Sequence, residues 1–157
     1  MKARVLPPIM ALLLAPLFAL AQAQVQYQDQ AQAQAVWLTL VGNPGDPQSD
    51  IVEIQPQSLP ANPGFASYNV RVNRAMQRTS WDGVPYRSYT SSVLIDCAEK
   101  TGRYLSIAFH LMPLWHGKPH TTSAFSAAEP RPMQFRSIEP NPTQRIIRAA
   151  CLATPAR

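Results

Sequence analysis

Few residues of this chain are of a type and spacing that do chemistry. Cys97 and Cys151 are its only cysteines; in an oxidising compartment two such residues read as one disulfide. His116 and His120 stand four apart, a spacing that offers two imidazoles to a metal on a helix. Gly117 and Pro119 lie inside that interval and argue for a loop, and no cysteine or carboxylate sits close by. No metal site and no cofactor are therefore expected. Serine, histidine and aspartate are all present, but there is no Gly-x-Ser-x-Gly elbow and no paired-carboxylate motif, so no catalytic residue is assigned and an enzyme is not expected. A Gly-rich phosphate loop is missing too, as is the basic and aromatic pattern of RNA-binding strands, which argues against nucleic acid. The aromatics are the better pointer. Trp81, Tyr86 and Trp115 fall in or beside turns, and with Arg87, Arg71, Arg74 and Arg78 they form a candidate binding patch, since Trp, Tyr and Arg dominate interface hot spots. Tryptophans that cap the edge of a core are the competing explanation.

These side chains need a scaffold, and the N-terminus says where it is built. Lys2 and Arg4, an apolar run at 9–20 and a small-x-small site at 19–23 occur in the order of a secretory signal peptide. The run is shorter than the ~20 residues of a membrane span and contains Pro16, so no span is expected. A signal peptide is read over 1–23, with a flexible Gln/Ala-rich leader at 24–35, and no cysteine stands directly after the cleavage site, so no lipid anchor is expected. Losing Lys2 and Arg4 lowers the formal charge from +5 to +3, and the arginines are scattered instead of forming a basic block. The expected location is the periplasm, the cell surface or the medium.

From residue 36 onward, short β-rich runs alternate with Pro, Gly, Asn and Asp. Strands are expected at 36–41, 51–55, 68–74 and 86–97. Within 68–74, Tyr68, Val70 and Val72 alternate with Asn69, Arg71 and Asn73, the mark of a sheet with one wet face. Tyr89, Val93, Ile95 and Cys97 share parity on the longest run, which sets the first cysteine on the apolar face. The run 104–111 is predicted to pair with it as a hairpin, with Leu105, Ile107, Phe109 and Leu111 on one face and His110 toward solvent. Residues 120–125 and 133–138 are weaker strand candidates. Asn141 and Pro142 then read as the N-cap and first turn of a helix whose stripe of Ile146, Ile147, Ala150 and Cys151 carries the second cysteine to the sheet.

The ordered set of these parts resembles the surface-adhesin protein E family of Gram-negative bacteria. The resemblance runs from an opening Val36-Trp37-Leu38 strand, through Ser58-Leu59 and Val70-Arg71, to Tyr86-Arg87-Ser88 leading into Ile95-Asp96-Cys97. It continues with Arg103-Tyr104, the stretch 135–140 (FRSIEP) and Ala149-Ala150-Cys151. It implies an α+β domain over 36–157: an antiparallel sheet of about six strands, with a C-terminal helix packed on the concave face and tied by Cys97–Cys151. It also implies a non-enzymatic exported module that binds a protein, either a host extracellular-matrix protein or an envelope partner, and that can form a homodimer. A periplasmic scaffold is the alternative role, and a small secreted enzyme or enzyme inhibitor a more distant one.

Overall fold

The computed structural model describes residues 36–55 and 65–153. The expected signal peptide, the leader and the Ser58-Leu59 turn lie outside the described residues. Six strands follow one another in sequence order across an antiparallel sheet: β1 (Leu38–Val41), β2 (Ile51–Ile54), β3 (Phe65–Thr79), β4 (Pro85–Asp96), β5 (Thr101–His110) and β6 (Thr121–Ala124). A two-residue β7 (Arg131–Pro132) pairs with β5 beyond the end of β6, and α1 (Thr143–Ala153) closes the chain. The α+β class, the sheet and the C-terminal helix are as the sequence predicts.

Alternation explains which face is dry. Tyr68, Val70 and Val72 of β3 are buried beside Tyr89, Val93 and Ile95 of β4, and Tyr104, Ile107 and Phe109 of β5 continue the same core. The helix delivers Ile146, Ile147 and Ala150 to that core, and burying each isoleucine contributes about 1.5–3 kcal/mol. Its start is set by Asn141, whose Oδ1 accepts the Thr143 N–H at 3.0 Å, satisfying one of the first-turn donors. Its far end is bonded to the sheet through the Cys97–Cys151 disulfide. The bond joins residues 54 apart, and in the chain-entropy view a closure of that length stabilises the fold by ~4 kcal/mol.

Four expectations are corrected. First, Leu105 does not share a face with Ile107 and Phe109. Ser92 pairs with Ser106 but Val93 pairs with Tyr104, so Leu105 is an extra residue, a bulge that reverses side-chain parity and turns Tyr104 inward. Leu111, just past the strand, is exposed. Second, His110 is buried, not solvent-facing. The loop after β5 folds back over the polar sheet face: Leu114 N–H donates to Asn73 Oδ1 at 2.8 Å, and Trp115 N–H donates to Ser88 Oγ at 3.0 Å. Third, residues 133–138 are not a strand; they cross the concave face as irregular chain and insert Met133, Phe135 and Ile138 into the core. Fourth, β3 runs on to Thr79, through a stretch where Arg74, Ala75, Met76 and Gln77 oppose Arg87 alone. Beyond this irregularity the β3–β4 hairpin bends across the sheet, so that Trp81 at its turn reaches Tyr104 of β5 and Phe125 after β6.

Candidate functional site

The curled hairpin places Trp81 far from its own strand neighbours. Its ring stacks on Tyr104 of β5 at 6.1 Å and lies 6.2 Å from Phe125, yet 41 % of the residue stays exposed. Beneath it the concave face is not completely filled. A cavity of about 350 Å³ remains, floored by Tyr86, Tyr89, Tyr104, Ile107 and Phe109 and walled by the hairpin and the 134–138 segment. Four arginines line it, Arg74, Arg78, Arg131 and Arg136, and no carboxylate does.

The four cations are not equivalent. Arg74 is built in: Nη1 and Nη2 donate to the carbonyls of Arg136 and Ser137, each at 3.0 Å, and Nε stands 3.3 Å from Asp50 Oδ1. It thereby pins the crossing segment to the bulge of β3. Arg131 donates to Asp82 Oδ1 at 3.3 Å and sits over the Trp81 ring at 5.7 Å. Arg136 donates to the neutral Gln134 side chain at 3.2 Å. Arg78 has a buried Nε with no hydrogen-bond partner among the described residues. Two of the four charges therefore have carboxylate partners, and among the described residues Arg78 and Arg136 have none.

The phenols beside them are held neutral. Tyr89 OH lies 3.1 Å from Tyr104 OH, which itself donates to the Gln134 carbonyl at 3.2 Å. Burial pushes Tyr104 up to about 12 and Tyr89 well above the ordinary tyrosine value. Burial also raises Tyr86, against the pull of Arg74 and Arg78. At neutral pH these groups act as hydrogen-bonding hydroxyls, not as bases. The site can hold an anion and stack a flat group; it presents no nucleophile beside a general base.

The sequence patch is divided between the two sheet faces. Trp81 and Tyr86 come together with Arg74 and Arg78 on the concave side. Arg71 and Trp115 belong to the opposite face, where the Arg71 guanidinium lies between the Trp37 ring at 4.2 Å and the Trp115 ring at 4.1 Å. The Trp115 indole N–H is shared between the carbonyls of Val72 (3.2 Å) and Tyr89 (3.0 Å), which locks the ring. Arg87 is used locally, donating to the Pro47 carbonyl at 2.8 Å. His116 and His120 are exposed, and among the described residues no three His, Cys, Asp or Glu side chains gather into a metal-binding group. Arg131 and Arg136 were missed from the sequence. They lie more than 50 residues from Arg74 and Arg78, and only the crossing segment brings them together.

The fold is thus a disulfide-tied antiparallel sheet with a cavity lined by arginines and aromatics. The family model for surface-adhesin protein E matches residues 37–152, and the chain belongs to that family. No curated protein and no solved structure matches the chain. Family membership supports an adhesin-like, protein-binding role in preference to an enzymatic one, and with the disulfide it points to an exported protein. No helix among the described residues is long and apolar enough to cross a membrane.

Proposed function

We propose that this chain is an exported, non-enzymatic binding module that engages a protein partner through the mouth of the concave cavity, with extracellular-matrix proteins as the partner class. The observation that carries this reading is Trp81: a large aromatic left 41 % exposed, yet fixed by stacking on Tyr104 and flanked by Arg131. An aromatic already immobilised in the free protein loses little entropy on docking, and Trp with Arg is the commonest hot-spot chemistry. Arg78 and Arg136, which have no carboxylate partner among the described residues, add positive charge at the same mouth, so an acidic segment is the complementary surface.

Location tests the reading. Surface proteolysis and fractionation of the native cell, with N-terminal sequencing of the processed chain, should find the protein outside the outer membrane with a start near Gln22 or Gln24. Confinement to the periplasm would instead assign the same mouth to an envelope partner.

A further inference from the structure

The cavity behind that mouth has a chemistry of its own. We propose that it is a binding site for a small organic anion with a flat, unsaturated body, such as an aromatic carboxylate or sulfonate. This goes beyond protein docking at the rim.

Three observations converge. At about 350 Å³, the space lies within the ~300–1,000 Å³ of small-molecule sites. Its floor consists of aromatic faces and edges: Tyr86 packs 5.7 Å from Tyr89 and 5.4 Å from Phe109, and the rings of all three line the cavity, so a flat group in it meets aromatic surface. Its charge is one-sided. Among the described residues Arg78 has no carboxylate partner, and Arg136 has only a neutral amide partner. A guanidinium without a carboxylate partner at a cavity wall is complemented by an anion, through charge-assisted hydrogen bonds. Arg74 cannot serve as freely, because its guanidinium already holds two carbonyls. The neutral Tyr89 and Tyr104 hydroxyls leave oxygen lone pairs and no competing negative charge. A cation would meet four arginines here, and an uncharged aromatic would leave the charges of Arg78 and Arg136 without a counter-charge.

The test is titration of the purified, disulfide-bonded protein with 1-anilinonaphthalene-8-sulfonate, read by fluorescence and by calorimetric stoichiometry. The parallel titration uses N-phenyl-1-naphthylamine, which has the same aromatic body without the sulfonate. One sulfonated dye per chain is expected, bound at least about tenfold more tightly than the uncharged one, the equivalent of one charge-assisted hydrogen bond. Arg78→Met should remove that preference while leaving the uncharged dye unchanged. Arg136→Gln, at an exposed side chain, keeps the test open should Arg78→Met fail to fold. Gln134→Trp, which fills the wall from outside, should exclude both dyes. Equal affinity for the two dyes, or a sulfonate preference untouched in both arginine variants, would overturn the assignment. No protein partner is present in this experiment, so such a failure would leave docking at the rim standing.

Discussion

Glu53 and Arg71 face each other across the β2–β3 ladder, with Arg71 Nε 2.6 Å from Glu53 Oε2, on the face away from the helix. The carboxylate is almost fully covered, and the guanidinium is sandwiched by Trp37 and Trp115. The stack ties the first described residues and the post-β5 loop to the middle of the sheet. Arg71→Lys keeps the charge but loses the planar group that fills the space between two indoles. It should lower the unfolding free energy by about 1 kcal/mol and raise Trp115 accessibility to acrylamide quenching.

Arg74 is the second cation with a structural task. Its side chain is 3 % exposed and holds the crossing segment by two carbonyls. Arg74→Met should destabilise the protein by about 2–3 kcal/mol in urea unfolding, below the full cost of breaking a buried pair because Asp50 is partly solvated.

Removing the disulfide tests the C-terminal strut. The Cys97→Ser, Cys151→Ser double variant should lose ~4 kcal/mol relative to the oxidised protein. Non-reducing mass analysis of the wild type should link the two cysteine peptides with the loss of two hydrogens.

His110 supplies a pH dependence. Burial is the main cause that lowers its pKa below the ordinary histidine value, with His120 adding to the effect and the backbone at Gly117 and His116 opposing it. The unfolded chain therefore binds a proton at His110 more readily than the folded one. Its contribution to stability is present above about pH 6.5 and is lost as pH falls from there through the folded value. Unfolding free energies at pH 7.5 and 5 should show this drop in the wild type and a smaller one in His110→Gln.

Much of the scaffold was legible because its signals are local. The alternation in β3, the Asn141 cap and the apolar stripe of α1 each depend on a few neighbouring residues. Gly83 takes φ 79°, as the hairpin turn requires. Bulges were not legible: one extra residue at Leu105 leaves the composition of the run unchanged but reverses its faces, so Tyr104 rather than Leu105 enters the core. His110 misled for a related reason, since parity reports which face a side chain takes and not whether a loop later covers it. The cavity was invisible because its arginines come from β3 and from the crossing segment, which meet only in the folded chain. Trp81 and Tyr86, singled out by residue type, line the cavity, while Trp115, singled out for the same reason, lies on the other face.

The most direct measurement is solid-phase binding of the purified protein to a panel of immobilised extracellular-matrix proteins, comparing wild type with Trp81→Ala and Arg131→Gln. Saturable binding to at least one of them is expected. Each substitution should weaken it about tenfold, a hot-spot loss of ~1.4 kcal/mol, with unchanged far-UV circular dichroism. Failure to bind any matrix protein, or binding that survives both substitutions undiminished, would contradict the assignment of the concave mouth as an adhesive surface.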